Sequence, residues 1–327
     1  MVLQIPTNRF HLQELTSADP IQTLVNDVRA GLLASPRSLP PKYFYNDEGS
    51  RLFNEICETK DYYPTRTEFA LFKKHAEEII NTAQALTYVE LGAGASTKTE
   101  VLLSKLNINL HTYVTIDVCQ EILVDTANRL LNTHPNLQIK SLIGEYLPAL
   151  QSLPVLEHPA LYIFIGSSIG NFTEQESIEL LSSVTKKMNS SDYFLLGLDR
   201  VKDKNILEKA YDDGEGVTAK FNLNVLQVLN DKLGANFNLN NFLHQAIYNE
   251  QDEQIEMYLI SKKSQYIDLS LLNETIHLQK DERILTEISR KYTKTSIQRM
   301  LLNSGLKEVL HFEPVNQYFS LVLVKRV

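Results

Sequence analysis

With 327 residues, the chain is long enough for one large or two ordinary domains, and 43% hydrophobic with 22% charged residues is the balance of a globular protein. A formal net charge of -8 speaks against nucleic acid or an anionic membrane surface as the main partner, since either favours a basic face. Two cysteines, Cys57 and Cys119, make no disulfide framework, and neither metal-ligand spacing, a signal pattern nor an apolar run of about 18 residues occurs, so a cytoplasmic, metal-free protein is expected.

In chain order, residues 1–35 mix polar and apolar side chains, with a helix expected over Pro20–Leu33. Three prolines hold Ser35–Lys42 extended. The aromatic clusters Tyr43–Tyr45 and Asp61–Arg66 flank an amphipathic segment, Gly49–Thr59, and serve either as packing or as the lid of a pocket. Residues 66–85 read as a helix leading into Thr87–Lys98. There Val89 and Leu91 mark a short buried strand, with Glu90 its single charge, and Gly92 and Gly94 break it. From Ser96 the period becomes helical through Val101, Leu102 and Lys105.

A strand, a glycine turn and a helix open a nucleotide-binding α/β sheet, because glycine lets the backbone lie close to a ligand at the strand's carboxyl end. Position 97 is Thr, which breaks G-x-G-x-x-G, and no G-x-x-x-x-G-K-[ST] loop is present. An acid before a shortened G-x-G suits S-adenosylmethionine, which carries no phosphate; a plain tight turn is the other reading.

The α/β rhythm continues through strands over Tyr113–Asp117, Leu137–Ile143, Ala160–Ile165 and Tyr193–Leu198, with Thr173 and Glu176 forming a capping box. It breaks in Lys202–Lys263, read as a long helical region without an early strand, before Gln254–Ser261 alternates like one. A helix over Ser296–Ser304 precedes a closing antiparallel pair, Leu306–Phe312 and Tyr318–Val324. This pattern predicts the seven-stranded, Rossmann-like sheet of class I methyltransferases. The expected division is residues 66–201 and 292–327 for that core, and 1–65 with 202–291 for a second, substrate-binding α+β domain. The carboxyl ends of the strands then bring Glu90, Gly92, Asp117, Glu145 and Gly166 around one crevice.

Asp117 either accepts the ribose hydroxyls of an adenosine or caps a helix. Glu145 with Tyr146 either binds and stacks adenine or forms a solvated turn, and Lys98 either meets a methionyl carboxylate or is a solvated lysine. Methyl transfer to an amine is an in-line displacement needing alignment, desolvation and a neutral nucleophile, so orienting groups are sought rather than a triad. Asn171, after the fourth strand, either holds an amine or carboxylate or is a turn residue. Tyr211 is either a core tyrosine or part of the pocket. Glu287 and Ser289, two apart, share one face of an extended segment and suit the two nitrogens of an imidazole, or form an exposed edge.

Together these segments resemble the S-adenosylmethionine-dependent histidine Nα-methyltransferases of ergothioneine biosynthesis. The likeness runs from about Val28 onward. It is carried by Ser38–Tyr45, Tyr62–Arg66, Val89–Gly92, Gly166–Asn171, Ala210–Asp213, Gly216–Ala219 with Phe221 and Asn222, Ile255–Met257 and Thr286–Ser289. The resemblance implies that Tyr62, Asn171 and Tyr211 hold the substrate carboxylate, and that Asn171 and the Gly166 backbone orient the amine. It implies that Glu287 and Ser289 bind the imidazole, with Met257 and Phe53 lining its pocket and Tyr45 near the amine. Gly92, Lys98, Asp117, Glu145 and Tyr146 would bind the methyl donor.

The implied reaction is trimethylation of free L-histidine to hercynine, through its mono- and dimethylated forms, by a monomer. Departures from the family pattern are Ala93 and Ala95, where Ser or Thr is common, and Gly144-Glu-Tyr146 in place of Gly-Asp-Phe. They bear on donor affinity more than on reaction type. Methylation of another amino acid, such as a tryptophan derivative, is the alternative, and a non-catalytic S-adenosylmethionine-binding protein is a further one.

Overall fold

The computed structural model describes residues 8–15, 19–104 and 110–327; Lys105, counted above in the helix after the glycine turn, lies outside them. The chain divides into two compact units, one built from residues 8–15, Pro64–Val201 and Lys291–Val327, the other from residues 19–63 and Lys202–Arg290.

Numbered in chain order, the first unit holds β1 (Phe10–Glu14), β3 (Thr87–Leu91), β4 (Thr112–Asp117), β5 (Gln138–Ile143), β6 (Ala160–Phe164), β7 (Tyr193–Asp199), β13 (Leu306–Phe312) and β14 (Phe319–Arg326). They form one sheet in the order β1-β5-β4-β3-β6-β7-β14-β13, parallel from β1 to β7 and antiparallel at β14 and β13. The expected seven strands are present, and an eighth, β1, pairs with β5 at the edge. That pairing places residues 8–15 in the first unit, where the sequence reading put them with the second. Phe10–Glu14 carries few apolar side chains and only its partner strand defines it.

Alternation within the strands divides the core between two faces. Tyr88, Tyr113, Ile163 and Leu195 pack with α3 (Tyr63–Ala83), α4 (Thr99–Ser104) and α5 (Gln120–Thr133). Val89, Val114, Tyr162 and Leu196 pack with α6 (Tyr146–Gln151), α7 (Glu174–Lys187) and α10 (Lys294–Asn303). Thr173 and Glu176 form the expected capping box at the start of α7.

The second unit contains α1 (Pro20–Gly31), β2 (Arg37–Ser38), α2 (Asp47–Glu58), α8 (Lys204–Tyr211) and α9 (Val217–Leu233). Its strands β8 (Phe242–Asn249), β9 (Gln254–Ser261) and β12 (Arg283–Arg290) join β2 in a four-stranded sheet of order β2-β12-β9-β8, with β10 (Gln265–Leu269) and β11 (Glu274–Leu278) as a separate hairpin. The proline-rich stretch is therefore not merely extended: Arg37 and Ser38 pair in parallel with Ile284 and Leu285. Residues 202–263 begin helical, as expected, with α8 and α9, but β8 adds a strand ahead of Gln254–Ser261 that the reading lacks. Its inward row is Phe242, His244, Ala246 and Tyr248, and the histidine conceals the apolar alternation.

Candidate active site

In the first unit the strand order reverses at β3, which has β4 on one side and β6 on the other. This is the switch point where α/β sheets open a crevice beyond the carboxyl ends of their strands. Gly92 and Gly94 turn the chain there with φ of 67° and 47°. A Cβ on Gly92 would lie 2.8 Å from the Tyr146 hydroxyl, whereas one on Gly94 would meet no atom within 4 Å. The turn therefore needs glycine twice, once for a side chain closing over it and once for its backbone conformation beside open space.

Glu90 lies beneath this turn, almost wholly buried, with Thr99 donating to one oxygen at 2.6 Å and the Tyr113 hydroxyl to the other. Burial pushes its pKa up to about 7. Glu90 thus ties the end of β3 to the start of α4 and to β4. Asp117 accepts from Gly94 N–H at 2.9 Å and from Cys119 N–H at 3.0 Å, tying the first and second strand-to-helix turns together, and burial raises its pKa. Each of its oxygens keeps a lone pair for a ribose hydroxyl. The Asp117 side chain does not cap α5, whose N-cap is Cys119. Glu145 is the exposed N-cap residue of α6, and Tyr146 packs edge-on against Phe164 at 5.3 Å.

Lys98 is no solvated lysine: it pairs with Glu68, a fully buried carboxylate from α3. The same carboxylate lies 2.9 and 3.0 Å from Gly166 N–H and so holds the turn after β6. Glu68 rests on Gly197, where a Cβ would lie 2.0 Å from its Oε1. The sequence reading missed Glu68, because its helix position looks like an ordinary charged residue and its partners lie 30 and 98 positions away. Gly166 and Ser167 both take positive φ, and Ser167 Oγ accepts from Asp199 N–H at 2.9 Å. Asn171 follows at the end of a 3-10 turn, half-buried, its amide without a hydrogen bond among the described residues.

The second unit collects the other expected residues. Phe44, Tyr45, Phe53, Tyr62, Phe221 and Tyr211 form one aromatic cluster, with ring centroids 4.6–6.2 Å apart along its contacts. Burial, aided by neighbouring Tyr211, Cys57, Tyr45 and Glu287, drives the Tyr62 pKa well up, so its phenol stays protonated. Glu287 and Ser289 are both buried on β12, where Met257 and Ile255 of β9 pair with them. Cross-strand partners share a face, so the carboxylate, the hydroxyl and the Met257 thioether stand side by side. The Tyr211 hydroxyl lies 2.8 Å from Ser289 Oγ. Cys57 and Cys119 are not joined in a disulfide. Among the described residues there is no group of side chains able to hold a metal, and no helix is long and apolar enough to cross a membrane.

A family model described as "Histidine-specific methyltransferase, SAM-dependent" matches residues 24–326. The chain belongs to this family. The histidine N-alpha-methyltransferase of Mycolicibacterium smegmatis is 38% identical over 296 residues, 90% of this chain and 92% of that protein. The corresponding protein of Mycobacterium tuberculosis is 37% identical over 288 residues, 88% of this chain and 89% of its own. Further off, an L-tryptophan methyltransferase of Psilocybe serbica is 27% identical, covering 84% and 85%. A solved S-adenosylmethionine-dependent methyltransferase from Clostridium acetobutylicum superposes with TM-score 0.46 at 14% identity, over 79% of this chain and 92% of that one.

As a member of the histidine-specific methyltransferases, the chain is an enzyme that uses S-adenosylmethionine. Its first unit fits that molecule: open space above Gly94, an acid at the end of β4 and a tyrosine over the glycine turn match a nucleoside without phosphate.

Proposed function

We propose that the protein methylates the α-amine of free L-histidine three times to give hercynine, the first step of ergothioneine biosynthesis, acting as a cytoplasmic monomer. The observation that carries this reading is the buried pair Glu287 and Ser289 on one face of β12, beside Met257 and within the electrostatic reach of Tyr62. A carboxylate accepts one imidazole N–H, and a hydroxyl serves the other ring nitrogen whichever role that nitrogen takes. An indole has a single N–H and leaves one of the pair idle.

In this reading Tyr62, Tyr211 and Asn171 hold the substrate carboxylate. Tyr62 is suited to donate because burial keeps its phenol protonated. Asn171 and the Gly166 carbonyl orient the amine, and Phe53 with Met257 lines the imidazole pocket. S-adenosylmethionine supplies an electrophilic methyl group on a sulfonium. Glu90 supports the loop beside it, Gly92, Asp117, Glu145 and Tyr146 hold its nucleoside part, and Lys98 meets its carboxylate. Enclosure lowers the pKa of the amine so that it enters neutral, and the aromatic face of Tyr45 favours the cation that accumulates with each transfer. That Cys57 and Cys119 are not joined in a disulfide agrees with a reducing compartment.

The test is mass spectrometry of a panel of free amino acids incubated with enzyme and S-adenosylmethionine. Histidine alone should gain one, two and then three methyl groups. A tryptophan derivative methylated in preference would overturn the assignment, and no methylated amino acid at all would leave only binding.

A further inference from the structure

His244 occupies an inward position of β8 where its neighbours Phe242, Ala246 and Tyr248 are buried, and its own side chain is 1% exposed. A polar ring placed there costs desolvation unless both nitrogens are satisfied. Both are: Nδ1 lies 2.8 Å from the Asn222 amide nitrogen, and Nε2 lies 2.8 Å from the main-chain oxygen of Tyr211. Tyr211 is the last residue of α8, and helix ends are where carbonyls turn to side-chain donors.

The direction of these bonds is set from outside the ring. Asn222 Nδ2 donates to the Tyr258 carbonyl at 3.1 Å, which can only accept, and Asn222 Oδ1 lies 2.7 Å from Thr286 Oγ1 on β12, whose single proton also reaches the Met257 carbonyl at 3.0 Å. The amide therefore presents N–H to His244, whose Nδ1 must accept and whose Nε2 must carry the proton. Only neutral histidine fits. Burial favours that form, against the charges of Asp212, 3.8 Å from Nε2, and of Asp213 on the following turn. Asp213 itself accepts from the N–H groups of Val217 and Thr218 at the start of α9, and Glu208 of α8 accepts from Tyr248 N–H.

We propose that His244 is a positioning residue for amino-acid binding: oriented by Asn222, it fixes the carbonyl of Tyr211 and thereby keeps the Tyr211 hydroxyl beside Ser289. Tyr211 is then anchored at both ends, by His244 through its backbone and by Ser289 through its phenol. This rests on the assignment of Tyr211 to the substrate carboxylate. The chain from Thr286 through Asn222 and His244 to Tyr211 begins one residue from Glu287, so the groups assigned to the imidazole and to the carboxylate are set by one hydrogen-bonded frame.

The test compares His244→Leu, which fills the space but makes neither bond, with His244→Gln, whose amide oxygen can accept from Asn222 while its N–H donates to Tyr211. Histidine KM and kcat are measured at saturating S-adenosylmethionine, together with the Kd of S-adenosylhomocysteine and the melting temperature. H244L should raise the histidine KM about tenfold, with kcat within about twofold and Kd unchanged, and H244Q should restore KM to within about threefold of wild type. Should H244L not fold, Asn222→Ala, which leaves the ring unoriented, is read in its place. A wild-type KM in H244L, or H244Q as impaired as H244L, overturns the proposal. Tyr211→Phe is measured alongside. If it keeps the wild-type KM, the Tyr211 assignment fails and the proposal with it; if it raises KM while H244L does not, only the role of His244 fails.

Discussion

Replacing Glu287 with alanine probes the feature on which the choice of substrate depends. Its carboxylate sits on β12 with only 8% of the residue exposed, so a bond to an imidazole N–H forms away from bulk water. A hydrogen bond to a charged group contributes about 1.5–3 kcal/mol, and the slight exposure places this one near the middle, about 2 kcal/mol or about thirtyfold in affinity. Steady-state kinetics at saturating S-adenosylmethionine should therefore show a histidine KM raised about thirtyfold, with kcat changed little because the imidazole is remote from the reacting amine. Glu287→Gln keeps the shape and one acceptor and should lose about fivefold. The control is β-(2-thienyl)alanine, whose ring has no N–H: its kcat/KM should be poor in the wild type and nearly the same in both variants. A wild-type histidine KM in Glu287→Ala, or an equal loss for the thienyl substrate, would refute the imidazole assignment.

Gly92→Ala combines a φ of 67° with a Cβ 2.8 Å from the Tyr146 hydroxyl, and should weaken S-adenosylhomocysteine binding at least tenfold by calorimetry. Adding Tyr146→Phe removes the crowding oxygen and should recover part of that loss, though not the part due to backbone conformation. Gly197→Ala drives a methyl group into Glu68, 2.0 Å from Oε1, and should lower stability by about 1–3 kcal/mol in urea melts while loosening both Lys98 and Gly166; an unchanged midpoint would show that Glu68 has room to move. Glu90 titrates at about 7 in the folded protein against an ordinary 4.5, so the folded state binds the extra proton between those values. Its contribution to stability is therefore complete below about 4.5 and falls as pH rises through 7, by up to about 3 kcal/mol. Glu90→Gln should flatten that decline, and a parallel pH dependence of the two proteins would exclude Glu90 as its source.

Much of the first unit could be read from the chain because its signals are local. Val89 and Leu91 alternate within five residues of Gly92, the Thr173 and Glu176 cap spans one helical turn, and the closing pair follows directly on α10. The spacing of Glu287 and Ser289 likewise announces a shared face, provided the segment is extended, and β12 is a strand. The rule that ligands lie at the carboxyl ends of parallel strands, which needs only the order of elements, singles out Asp117, Gly92 and Asn171 as candidates.

What remained hidden depends on partners far apart in sequence. Phe10–Glu14 becomes a strand only because β5 offers an open edge, and Arg37–Ser38 only because β12 does. Glu68 resembles any helix glutamate until Lys98, Gly166 and Gly197 close around it, and His244 breaks the pattern of β8 because its two bonds go to α9 and to the end of α8. Hydrophobic period and turn chemistry act over a few residues, so the sequence by itself determined the α/β rhythm and the glycine turn. Burying a polar or charged group is tolerable only where distant donors and acceptors meet it, and that meeting belonged to the tertiary structure alone.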